Sequence, residues 1–196
     1  MNGKMQKDMI RFGIALAIFC AVGAGSLAFT YQGTLPNILA QAKLEEEKAS
    51  KLVMPGVDFT RRDDLVAKAA TQFPDYMSQG NGTIFEGKKD GKTVGAVIQL
   101  ASRGYGGPVR IAVAIQSGKV TGVTIVEHKE TPGLGSSIKD DPGFVKQFGG
   151  KTTADPLEVK KDVQAITGAT KSSRAVAAGV KAALAVYASV YGGTTK

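Results

Sequence analysis

From Phe12 through Ala42 the chain carries no charged residue, and the stretch Phe12–Tyr31 is its most apolar part. As a helix this stretch is long enough to cross the roughly 30 Å hydrocarbon core of a bilayer. Lys4, Lys7 and Arg11 precede it against Asp8 alone. Basic flanks stay in the cytoplasm, so the pattern predicts a single-pass protein with its N-terminus inside and everything after Tyr31 outside. Phe29 and Tyr31 stand where interfacial aromatics sit, and Gly13, Gly23 and Gly25 offer small surfaces for a neighbouring helix. Two other readings compete. Ser26-Leu27-Ala28 is a passable cleavage site for a signal peptide, although the apolar run exceeds an ordinary signal core. Cys20 could carry a lipid, although Phe19 is bulky where a lipobox needs a small residue. In each case the rest of the chain leaves the cytoplasm.

The remaining length suits one domain and a stalk. The expected organisation is a cytoplasmic segment 1–11, a transmembrane helix 12–31, a stalk 32–58 and an extracytoplasmic domain 59–196. With 25 Lys+Arg against 17 Asp+Glu the formal net charge is +8, which permits contact with anionic lipid or acidic partner proteins. Nucleic acid is not an expected partner: Trp is absent and no basic stripe interleaves with aromatics. The single cysteine excludes an internal disulfide and leaves the compartment open.

Ile38, Leu39, Ala42 and Leu44–Lys48 predict a short amphipathic helix in the stalk, interrupted by Met54-Pro55-Gly56. A second helix follows, with Thr60 and Asp63 as a capping box, Leu65, Ala69 and Phe73 on one face, and Pro74 as its stop. Four strands come next. Lys89-Asp90-Gly91-Lys92 is a hairpin turn between Thr83–Gly87 and Thr93–Leu100. Val94, Ala96, Ile98 and Leu100 alternate, as do Val109, Ile111, Val113 and Ile115, so one face of the sheet should be buried. Ser117-Gly118 turns into Lys119–Glu127, where a parity shift between Val120 and Val123 predicts a bulge near Gly122. A last helix spans about Ser172 to Val190, with Val176, Val180, Leu184 and Tyr187 as its apolar stripe and Gly192-Gly193 as its stop. Short connections argue for an α+β fold: an antiparallel sheet with helices packed on it. Glycine- and proline-rich loops at Gly104–Pro108, Pro132–Gly135 and Pro142–Gly143 are where binding residues would sit.

Residues 162–170 read Asp-Val-Gln-Ala-Ile-Thr-Gly-Ala-Thr. Gly168 and Ala169 keep the backbone bare before the Thr170 hydroxyl. The helix beginning near Ser172 presents free N–H groups and a positive dipole end, and Lys171 and Arg174 add cations. This is a favourable place for a tethered phosphate. Taken alone, the same four residues also suit a turn followed by a threonine N-cap. A second block pairs Gly104-Tyr105-Gly106-Gly107-Pro108 with Glu130-Thr131-Pro132-Gly133-Leu134-Gly135. Such loops can bring donors and an apolar side chain against a flat heteroaromatic ring, or can be ordinary turns.

Together these blocks resemble a known family. Thr167-Gly168-Ala169-Thr170, with Asp162 upstream, resembles the flavinylation signal D-x-x-[ST]-G-A-T. Both blocks, in this order and spacing, resemble the FMN-binding domain of membrane electron-transport subunits, above all the G subunits of Rnf ion-translocating ferredoxin:NAD oxidoreductase complexes. The resemblance covers about Gly82 to Val190 and the N-terminal anchor. The C subunits of sodium-pumping NADH:quinone oxidoreductases share the signal and are usually longer. The resemblance implies covalent FMN on Thr170 through a phosphoester. It makes Asp162, Thr167, Gly168, Ala169 and Thr170 the signal for a flavin transferase that uses FAD and magnesium. It places Glu130, Thr131, Leu134 and Gly135 against the flavin, with Tyr105 and Lys171 nearby. The implied partners are the other membrane subunits, the flavin transferase and the lipid bilayer. The implied function is electron carriage between ferredoxin and NAD, coupled to Na⁺ or H⁺ movement, by a subunit that is not a complete enzyme alone. Thr167 replaces the commoner serine, and Phe144 stands where Trp is expected.

No catalytic group or metal site is expected. His128 is the only histidine, and no second His or carboxylate spacing completes a site around it, so it reads as a strand-end residue. Asp140-Asp141 before Pro142 reads as a turn. No G-x-G-x-x-G opens a helix, so no nicotinamide site is expected. From a different functional class, an anchored non-redox binding or scaffold domain would share the general α+β character.

Overall fold

The computed structural model describes residues 3–77 and 82–192. Gly193, half of the expected helix stop, lies outside them, as does the side chain of Lys4 in the basic flank. The chain divides into two units, with the boundary between Leu44 and Glu45.

The first unit belongs to a helix, α1, that runs Gly3–Val53. It is long and apolar enough to cross a membrane, and none of its apolar window is buried against protein. Ile10, Phe12, Ile14, Leu16 and Phe19 are all exposed. The stalk was expected to hold a separate short helix. Instead α1 is continuous through Pro36, whose missing N–H removes one backbone bond without ending the helix. It stops at Val53, just before Pro55 and a Gly56 with φ of +72°.

In the second unit five strands form an antiparallel meander in chain order: β1 (Asp58–Arg61), β2 (Thr83–Lys89), β3 (Lys92–Arg103), β4 (Pro108–Gln116) and β5 (Lys119–His128). Asp90-Gly91 and Ser117-Gly118 make the two tight turns. All four residues have positive φ, the geometry that matches strand twist in two-residue hairpins. Ala114 pairs with Gly122 and Ile115 with Val120, so Thr121 is the extra residue of the expected bulge.

Several local expectations give way. β1 takes Thr60 as strand, so the capping box does not form. The helix α2 (Asp63–Gln72) starts after Arg62, which bonds Asp64 and Glu86 instead. A short helix α3 (Pro74–Met77) follows directly. Pro142 opens a helix, α5 (Pro142–Lys146), with Asp141 as its cap, accepting from Gly143 N at 2.8 Å. α4 (Ser137–Asp140) ends just before it. The last helix, α6 (Thr170–Tyr191), begins two residues earlier than expected, with Ala169 at the N-cap.

The sheet is buried on both faces, not one. Ile84, Ile98, Leu100, Ile111, Val113 and Ile115 meet Val176, Val180 and Leu184 of α6. Phe85, Val97, Ala112 and Ala114, on the other face, meet Ala49 and Met54. A bulge at Gly87/Lys88 leaves Val94 unpaired and turns it to this second face, away from Ile98 and Leu100. Burying each large aliphatic side chain contributes about 1.5–3 kcal/mol. The second face also holds a polar clamp. Glu46 accepts from Arg110 at 2.8 Å and Arg61 at 3.2 Å, and Gln99 donates to Glu46 O and Ser50 Oγ.

α6 sits close on the first face because Gly179 permits it. A Cβ there would lie 2.6 Å from Ile111 Cδ1. This close approach fixes where the N-terminal turn of α6, and therefore Thr170, is presented.

Candidate functional site

The start of α6 is built by the irregular segment that precedes it. Asp162 Oδ2 accepts from Lys151 Nζ at 2.8 Å and Leu157 N at 3.1 Å, and Oδ1 accepts from Glu158 N at 2.9 Å. This closes the loop 157–163, in which Leu157 and Lys160 have positive φ. The Lys151 bond, with the two backbone N–H groups, holds the Asp162 carboxyl down at about 2. Next, Gln147 grips the backbone of Gln164, donating to its O at 3.0 Å and accepting from its N at 2.8 Å. Ile166 N donates to Ser173 Oγ, and Gly168 turns the chain with φ of +80°. The first helical bond is Ser173 N to Ala169 O, 2.8 Å. The N–H groups of Thr170, Lys171 and Ser172 precede it and have no carbonyl within the helix to meet.

A cleft of about 300 Å³ opens at this helix start. Its walls are Gly168, Ala169, Thr170, Lys171 and Ser172 on one side, and Tyr105, Glu130, Thr131, Leu134 and Gly135 on the other. Leu134 is 56 % exposed and Tyr105 70 %, so both present apolar surface to the opening. The Lys171 ammonium lies 5.1 Å from the Tyr105 ring centroid, a cation–π distance.

Glu130 is the hub. It is buried, and its carboxylate accepts from Tyr105 N at 2.8 Å, Gly106 N at 3.3 Å and Ser172 Oγ at 2.8 Å. One side chain thus ties the Gly104–Gly107 loop, the Thr131–Gly135 loop and α6 together. The glycines make room for it. A Cβ on Gly104 or Gly135 would collide with the Glu130 carboxylate, and one on Gly106 would collide with Lys129 O. His128, at the end of β5, accepts from Glu130 N through Nδ1 at 3.3 Å. Among the described residues no cluster of His, Cys, Asp or Glu is placed to hold a metal.

The expected site residues therefore divide into two groups. Thr170, Gly168, Ala169, Lys171, Tyr105, Glu130, Thr131, Leu134 and Gly135 line one cleft. Asp162 and Thr167 do not. Asp162 is the staple of the preceding loop and stands five residues before Thr167; Gln164 holds the place, three before it, where the signal has its Asp. Thr167 is exposed and lines a separate cleft with Phe144, Gln147 and Gln164. Phe144 is buried, edge-on to Phe148 at 5.6 Å, so the position expected to carry Trp serves packing here. Ser172 was not anticipated. The signal for it was present, since it precedes Val176 and Val180 on the buried stripe of α6, where an unpartnered hydroxyl would be costly.

Residues 104–185 match the profile of the FMN-binding domain, and residues 1–52 match that of the RnfG N-terminal region. The chain is 30% identical to the G subunit of the Na(+)-translocating ferredoxin:NAD(+) oxidoreductase complex of Acetobacterium woodii, over 92% of each chain. It is 34% identical to the G subunit of the ion-translocating oxidoreductase complex of Escherichia coli, over 91% of each. It is 42% identical to the G subunit of the proton-translocating ferredoxin:NAD(+) oxidoreductase complex of Clostridium ljungdahlii, over 58% of this chain and 64% of that one.

Proposed function

This chain belongs to the family of G subunits of Rnf-type ion-translocating oxidoreductase complexes, and from that premise we propose that it is a membrane-anchored electron carrier with FMN esterified to Thr170. The observation that carries the attachment site is the cleft itself. It brings the Thr170 side chain, the amide-rich start of a 22-residue helix and two exposed apolar side chains to one place.

The residues fit the group. Thr170 is the attachment point. The N–H groups of the first helical turn would hold the phosphate, the helix end contributing about 0.3–1 kcal/mol toward an anion, with the Lys171 ammonium adding positive charge at the rim of the cleft. Leu134 and Tyr105 cover apolar ring surface, and Gly135 and Gly168 let the backbone come close. Glu130 and Ser172 hold the walls in register. When bound, FMN supplies the ability to take and pass electrons singly; the chain supplies position and surroundings. Asp162 acts through the loop it closes, and Thr167, being exposed, is available to a flavin transferase that uses FAD.

The helix α1 is the anchor in this reading, and Lys7 and Arg11 keep its N-terminus in the cytoplasm, so the Thr170 domain lies outside. The other membrane subunits of an Rnf-type complex are its partners, and the complex couples ferredoxin:NAD electron transfer to movement of Na⁺ or H⁺. The test is co-expression with a flavin transferase, denaturing electrophoresis and ultraviolet illumination. A fluorescent band that disappears in Thr170→Ala is expected, and a dark wild-type band contradicts covalent attachment.

A further inference from the structure

Beside the Thr170 cleft lies a second one of about 530 Å³, lined by Arg103, Lys171, Arg174, Tyr76, Ala175 and Ala178. Its three cations are exposed. Elsewhere in the second unit the arginines are matched: Arg61 and Arg110 with Glu46, and Arg62 with Asp64 and Glu86. Arg103, Lys171 and Arg174 have no carboxylate partner among the described residues. Three like charges around one concavity focus a positive potential there and raise the encounter rate of an anionic group by tenfold or more. Lys171 belongs to both clefts, so whatever binds here stands next to the Thr170 site.

We propose that this cationic cleft is the docking surface for an acidic segment of a partner subunit, carboxylates entering between Arg103 and Arg174 beside the Thr170 site. This rests on the reading that Thr170 carries the flavin, because a partner that exchanges electrons must hold its own carrier close to it. A lipid headgroup or a free anion would match the charge and exchange no electron. Ala175 and Ala178, being small, leave the cleft open to carboxylate side chains.

The test uses the assembled complex. A water-soluble carbodiimide joins an amine to a carboxylate only at direct contact: an amide forms between Lys171 Nζ and the carboxyl carbon, and the displaced oxygen leaves on the reagent as a urea. Peptide mass spectrometry should find Lys171 linked to an Asp or Glu of another subunit. The yield should fall roughly fivefold or more in Arg103→Glu, and again in 1 M salt, where screening extends only about 3 Å. Lys119→Glu, the same charge change at the far end of the sheet, should leave it unaltered. Absence of the Lys171 link while other lysines of the unit do link to partner subunits overturns the proposal, as does a yield indifferent to Arg103→Glu. Absence of the Lys171 link in the wild-type complex, together with wild-type cosedimentation with phosphatidylglycerol vesicles that Arg103→Glu lowers, assigns the cleft to lipid and also overturns it. Intact mass of the same samples reports FMN separately. Flavin without the link defeats the docking surface alone, and the link without flavin defeats the attachment reading alone.

Discussion

Ser172 Oγ donates to the buried Glu130 carboxylate at 2.8 Å, joining the first turn of α6 to a loop 42 residues earlier in the chain. That carboxylate also receives the N–H groups of Tyr105 and Gly106. Ser172→Ala leaves the carboxylate one donor short in a buried site, which costs about 1–3 kcal/mol. The expected result is a lower urea midpoint together with reduced flavin attachment, while Ser172→Thr, which keeps the hydroxyl, retains part of both. Equal attachment in wild type and Ser172→Ala would show that the wall does not depend on this bond.

Glu46 is the anion of the clamp on the opposite face, held by Arg61 and Arg110 with its side chain 11% exposed. Glu46→Ala takes one carboxylate from each guanidinium; Arg61 keeps Asp63 at 2.7 Å and Arg110 keeps Glu127 at 4.0 Å, so the loss should be about 1.5–3 kcal/mol, the range for a hydrogen bond to a charged group. Urea unfolding of the full chain in detergent, followed by far-ultraviolet circular dichroism, should show the loss. Attachment at Thr170, which lies on other elements, should survive wherever the domain is folded.

The Asp162 carboxyl titrates at about 2 in the fold, against 3.8 for a free aspartate. A depressed value means that the ionised form favours folding. Its contribution is full above about pH 4 and is lost as pH falls through the window from 3.8 to about 2. Wild type should therefore lose stability more steeply across that window than Asp162→Asn. Parallel curves would show that the Lys151 and backbone bonds to Asp162 add nothing.

Thr167 is exposed and lies outside the Thr170 cleft. Thr167→Ala should slow attachment without abolishing it, measured as labelled fraction against time with a flavin transferase. Loss as complete as in Thr170→Ala would reverse the roles given to the two threonines.

Much of this architecture is legible in the chain. Asp90-Gly91 and Ser117-Gly118 announce their hairpins because only a few residue types accept positive φ in succession, and the parity shift at Val120–Val123 marks the bulge at Thr121. The long apolar run marks α1. What escaped depended on distant partners. β1 is a strand because Asp58–Arg61 pairs with Phe85–Lys88, not because its residues alternate. The second buried face exists because Ala49 and Met54 cover Ala112 and Ala114, residues too small to signal a core. At the site, the Gly168-Ala169-Thr170 turn and the Glu130–Gly135 loop were visible as motifs. The role of Glu130 as a shared acceptor was not, since its three donors come from Tyr105, Gly106 and Ser172.

The most direct test of covalent FMN on Thr170 is the mass of the intact protein purified from cells with an active flavin transferase. The expected value is that of the polypeptide plus one FMN minus one water, with the added mass on the peptide containing Thr170 and absent from Thr170→Ala. An unmodified polypeptide mass, or FMN found on Thr167, would contradict it.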